Sequence, residues 1–141
     1  ISSLANLTHT LTVNGDIYGD NIYTSGGQLT PDYVFEKYYL GNSEILPSYS
    51  FHTLEYAENF VKENGHLPGV LSYKDIKNQD YVYDLSQFSR TNLEKIEESF
   101  LYITELNAKI KAQDKELKEK EDKIEDLEQR LAKLEKILLK K

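Results

Sequence analysis

Between Ile103 and Leu138 the apolar residues Ile103, Leu106, Ile110, Leu117, Ile124, Leu127, Leu131, Leu134 and Leu138 recur at steps of three, four and seven, separated by Lys, Glu and Asp. That is a heptad with Ile or Leu at a and mostly Leu at d, so residues 86–141 are predicted to form one uninterrupted coiled-coil helix. A helix with so narrow an apolar stripe is not stable alone. The economical partners are identical copies of the chain related by rotational symmetry.

Charge refines the expected assembly. The g and e positions hold Lys109 and Asp114, Lys123 and Glu128, and Arg130 and Glu135, opposite-sign pairs at the spacing that joins neighbouring parallel helices. The windows Lys123-Ile124-Glu125-Asp126-Leu127-Glu128 and Arg130-Leu131-Ala132-Lys133-Leu134-Glu135 match the basic-apolar-x-x-apolar-Glu pattern of trimeric coils, the second completely. Ile at a with Leu at d instead favours two strands, and the d positions Gln113 and Lys120 are polar. A parallel homotrimer is the preferred reading, with the dimer as its alternative. Leu93, Ile96, Phe100 and Ile103 step by three, four and three, and the next step, to Leu106, is three again; this stammer marks a junction. Below it the helix is expected to pack on the preceding part of the chain, and above it to project as a stalk.

The residues before the stalk divide in two. In Leu7-Thr8-His9-Thr10-Leu11-Thr12-Val13 the apolar residues alternate with Thr, the period of a half-buried strand, and Asn14-Gly15 signals a tight turn. Gly15-Asp16-Ile17-Tyr18 is echoed by Gly19-Asp20-Asn21-Ile22-Tyr23, and Ser25-Gly26-Gly27 breaks the segment. Residues 1–29 thus read as a short β segment that needs other copies, wound about an axis, to complete its edges. Residues 30–85 read as a small mixed domain. Thr53 caps a helix with Leu54, Ala57, Phe60 and Val61 on one side and Gly65 as its stop; Ser72 with Asp75 starts another, and Asp84 with Gln87 starts the long one. The expected class is α+β: an intertwined β segment, a small mixed domain and a C-terminal parallel trimeric coiled coil.

Composition narrows function. Of the net charge of -7, residues 1–92 carry -6. There is no Lys and Arg patch for phosphates or for an anionic membrane surface, so nucleic acid and membrane partners are not expected. No run approaches the length of a bilayer span. The chain is expected to be soluble, and its start at Ile1 reads as that of a fragment of something longer. With no Cys, and with His9, His52 and His66 in no ligand spacing, neither metal site nor cofactor is implied, and His66 is better placed to satisfy helix-end carbonyls than to act as a base. Ten of the eleven Tyr precede residue 90. Tyr38, Tyr39, Tyr49, Tyr81 and Tyr83 form a candidate surface for a glycan or protein ligand, weighed against the plainer reading that the tyrosines pack a small core.

Pro31-Asp32-Tyr33-Val34-Phe35-Glu36, Lys62-Glu63-Asn64-Gly65-His66-Leu67-Pro68-Gly69 and Leu93-Glu94-Lys95-Ile96-Glu97-Glu98, leading into a coiled coil, resemble the C-terminal module of tail-fibre-like proteins of Bacteroidetes and their phages. Leu11-Thr12-Val13-Asn14-Gly15-Asp16-Ile17 resembles the repeat that ends their shafts, while Thr30 stands where members often have Trp and Leu40 to Ser50 looks inserted. The resemblance implies a non-enzymatic trimerising end of a fibre on a virion or cell surface. Its rival is a receptor-binding tip. No Ser-Asp-x-Arg-x-Lys-type sequence supports self-cleavage.

Overall fold

The computed structural model describes residues 13, 15–21 and 30–139. Four helices follow in order: α1 (Tyr33–Leu40), α2 (Leu54–Asn64), α3 (Tyr73–Asn78) and α4 (Leu85–Leu138). Among the described residues there is no strand, which overturns the α+β class expected from the sequence. Region 30–85 is helices and turns. Its extended stretches find their partners in side chains and turns: the Glu36 carboxylate accepts from the Ser43 hydroxyl at 2.6 Å and from the backbone N–H of Glu44 and Ile45. Most of the β segment expected at residues 1–29 lies outside the described residues. Of the part described, residues 15–21 form no strand and leave Ile17 and Tyr18 exposed.

Local chemistry explains the helix ends. The Thr53 hydroxyl accepts from the Tyr56 N–H, and α2 stops at Gly65, whose φ of 75° suits a residue without Cβ. Ser72 and Asp75 form a reciprocal capping box at α3. Asp84 Oδ1 accepts from the N–H groups of Ser86 and Gln87 to open α4. α1 is absent from the sequence pattern, because its aromatic run favours β and the Asp32 side chain makes no capping hydrogen bond. It forms because it can bury Tyr33 and Val34 against α4, and it ends at Gly41 in the left-handed conformation.

The core is small. Tyr33, Val34, Tyr49 and Leu101 are buried together, with Phe35, Tyr38 and Phe51 packed against them, and Leu101 is 0% exposed. α2 adds little, since Ala57 is buried while Leu54 and Val61 remain exposed. The core of the head is therefore α1 and the following loop laid on one side of α4 between Glu94 and Glu105. No helix among the described residues is long and apolar enough to cross a membrane.

Leu101→Ala should cost about 2–5 kcal/mol, because the pocket between α1 and the loop cannot collapse fully around the lost atoms. Tyr49→Phe, which takes one donor from the buried Glu98 carboxylate, should cost about 1–3 kcal/mol. Chemical denaturation of the two variants tests the order, and a larger loss for Tyr49→Phe would place the head's main support in the polar network.

Candidate oligomerisation interface

From Leu93 to Glu105, α4 presents two faces of different chemistry. On the head side, Tyr33 donates to Glu94, Tyr49 donates to Glu98 at 2.8 Å and Tyr38 donates to Glu105 at 2.9 Å. Tyr102 donates to the His52 carbonyl at 2.9 Å, and its ring lies against Phe51. Lys95 sits between two carboxylates, 2.9 Å from Glu94 and 2.9 Å from Glu98. Burial pulls its ammonium down, but hydrogen bonds and charge from Glu98 and Glu94 outweigh that and hold it above the usual lysine range. Burial raises the phenols of Tyr33 and Tyr49, and each is raised further by the carboxylate that it donates to; Tyr102 is pushed up to about 12. These groups stay protonated at neutral pH and act as clamps, not as proton donors in chemistry.

The sequence gives the residues of this network no distinguishing mark. A carboxylate every three or four residues is also what a solvated helix surface shows, and that plainer reading fails for Glu94, Lys95 and Glu98. The missing signal was the set of phenols at Tyr33, Tyr38 and Tyr49, which lie 61, 67 and 49 residues from their acceptors.

On the opposite side the stripe is uncovered. Leu93, Ile96, Phe100 and Ile103 are exposed, Ile96 by 63% and Phe100 by 54%. From Leu106 onward every described side chain of α4 is exposed, including Leu106, Ile110, Leu117, Ile124, Leu127, Leu131, Leu134 and Leu138. The last contact of α4 with the head is made by Glu105, so the helix projects beyond it for roughly 50 Å at 1.5 Å per residue. Phe100, Ile103, Thr104, Leu106, Asn107 and Ile110 form a shallow, mainly apolar groove of about 490 Å³ where the stalk leaves the head. Arg130 lies 3.8 Å from Asp126 within its own helix, both side chains well exposed, and Glu135 lies on the same stretch of α4.

The five candidate ligand tyrosines do not gather. Tyr49 is buried against Glu98, and Tyr38 is half-buried against Glu105 and Phe51. Tyr39 is 66% exposed beside Tyr38. Tyr81 and Tyr83 lie in the turn before α4, where Tyr81 faces Tyr73 and Tyr83 faces Phe88. Among the described residues no group of three or more His, Asp and Glu is placed to hold a metal ion. No family model, curated protein or solved structure matches the chain.

Glu97 is the exception on the head side. Its Oε2 is buried without a hydrogen-bond partner, and burial, then the charges of Asp32 and Glu94, raise its carboxyl above the usual range. A raised carboxyl favours the protonated form in the folded state, so its contribution is most favourable at low pH and is lost as pH rises through the folded value. Glu97→Gln should therefore raise the melting temperature at about pH 7, and the gain should shrink below about pH 4, where glutamate is protonated in both states. Equal gains at both pH values would mean that the ionised carboxylate costs nothing here.

Proposed function

We propose that this chain is a non-enzymatic trimerisation module whose α4 helices associate in parallel through the stripe from Ile103 to Leu138. The observation that carries the reading is that stripe, exposed along its whole length on a helix too long and too narrowly apolar to persist unpaired. Supporting it, the head's core is far too small to hold a 54-residue helix in place.

Two features favour parallel trimers. The complete Arg130 to Glu135 pattern carries the basic and acidic residues expected to cross to neighbours, and the exposed Asp126 contact is too weak to hold Arg130 back. The pairs Lys109 with Asp114 and Lys123 with Glu128 suit the same parallel register. All three heads then lie at one end. The resemblance of residues 31–36, 62–69 and 93–98 to tail-fibre-like end modules supports a place at the terminus of a fibre on a virion or cell surface.

The work of such a module is mechanical. The coil forms from local contacts and brings three chains into register, which raises the effective concentration of whatever lies on the N-terminal side of the heads. The glycan- or receptor-binding reading draws no support from the scattered tyrosines.

Sedimentation equilibrium should give three times 16.3 kDa across dilution. A monomer, or a dimer of either orientation, would end the proposal of a trimer. The polar d layers provide a second check on the register: replacing Gln113 and Lys120 together with Leu should raise the melting temperature of the oligomer, since a polar core layer trades stability for register. An unchanged or lower value would mean that these residues do not face the axis.

A further inference from the structure

We infer that the coil does not end where the heads begin: Ile96 forms a further axial layer, below that of Ile103, between three copies of this chain, and the heads sit around the coil as a collar. The inference rests on the trimeric reading of the stalk and extends it to residues that the stalk alone does not require.

The argument starts from register. Counting back by sevens from Ile110 gives Ile103 and Ile96 at a, so the stalk's phase passes into the head without an inserted or missing residue. α4 is a single helix across this span, so the phase is continuous in space as well as in sequence. The short step from Ile103 to Leu106 then needs no local overwinding, because Leu93 and Phe100 fall at e, flanking the axial residues.

The second step is which side the head occupies. Glu94, Glu98, Leu101, Tyr102 and Glu105 are taken up by Tyr33, Tyr49, the core, the His52 carbonyl and Tyr38. Leu93, Ile96, Phe100 and Ile103 are all left exposed. The head covers the outer side of α4 and leaves the line that continues the stalk's seam open. A head unrelated to the axis has no reason to spare that line.

Flanking residues fit neighbours of the same kind. In a parallel coil an e residue faces the g residue five positions earlier in the adjacent chain, which sets Phe100 beside the stem of a neighbour's Lys95, whose ammonium stays with its own Glu94 and Glu98, and Asn107 beside the ring of a neighbour's Tyr102, whose hydroxyl stays on its own His52 carbonyl. Phe35 of α1 meets Phe100 edge to face, with ring centres 6.4 Å apart, so α1 stands beside this contact and widens it. The half-exposed Phe100 ring at the edge of the seam is the kind of aromatic surface that a second copy buries well.

Because the chain has no Cys, one introduced thiol reports its own surroundings. In the whole 141-residue chain, Ile96→Cys and Ile124→Cys are treated with a short bismaleimide, and Ile96→Glu is melted alongside. Cross-linking between chains at both positions, with a loss of melting temperature in Ile96→Glu, supports the collar. Cross-linking at Ile124→Cys with none at Ile96→Cys overturns it while leaving the stalk trimer intact: the helices then part below Ile103, or the seam is covered within each chain if Ile96→Glu is still destabilised. No cross-linking at either position overturns the trimeric coil itself and this inference with it.

Discussion

Leu101 and Ile96 lie on one helix with opposite demands, and the rest of the molecule follows from meeting both. Leu101 needs an apolar pocket on its own chain, and α1 with the loop through Tyr49 provides it. Ile96, Phe100 and Ile103 need an apolar partner too, yet the same chain leaves them in solvent. A helix cannot bury two sides of its surface with one small head, and the second side is the one that the proposed assembly would cover. That division separates the residues that serve the fold of one chain from those assigned to the proposed interface.

The head's polar network follows from the same division. Packing α1 on a helix rich in Glu and Lys brings charges under cover, where an unpaired carboxylate would cost more than a hydrogen bond returns. Phenols meet the requirement well: each offers a large apolar ring to the core and one donor at its tip. Tyr33, Tyr38 and Tyr49 each satisfy one carboxylate, and Lys95 neutralises part of the charge of two. Glu97 is the carboxylate that this scheme misses. Three of the eleven tyrosines are thus accounted for by the acidic residues placed beneath a small aromatic head.

What the sequence revealed was what repeats or what sits at an end. The heptad from Ile103 to Leu138, the caps at Thr53, Ser72 and Asp84 and the stop at Gly65 are local signals written in a few neighbouring residues, and the helices follow them. α1 was hidden because Tyr33, Val34 and Phe35 carry β propensity that packing on α4 overrides. The expected mixed domain holds only helices and turns among the described residues, and its aromatic residues, weighed as a ligand surface or a small core, largely cover one face of α4. The network of Glu94, Lys95 and Glu98 was illegible because its partners are remote in sequence, and charges at helical spacing carry no sign of what faces them.

The two faces also differ in how precisely they can be specified. The stripe proposed as the stalk's seam is apolar, so its fit in the proposed coil depends on register and shape, with register coming from polar layers at Gln113 and Lys120 and from charges at its edges. The head's face is directional, since a phenol and a carboxylate must meet within hydrogen-bonding distance and angle. Fixing the direction first, within one chain, leaves α4 as a preformed helix with its seam already aligned for part of its length. An assembling chain then loses less conformational freedom over its first turns than over the free stalk. Association is therefore expected to be most favourable where the head already holds the helix, and the polar layers at Gln113 and Lys120 lie between that region and the better-packed end from Ile124 to Leu138. In the proposed coil the weakest stretch therefore falls in the middle, flanked by one segment ordered by the head and another packed by its own leucines.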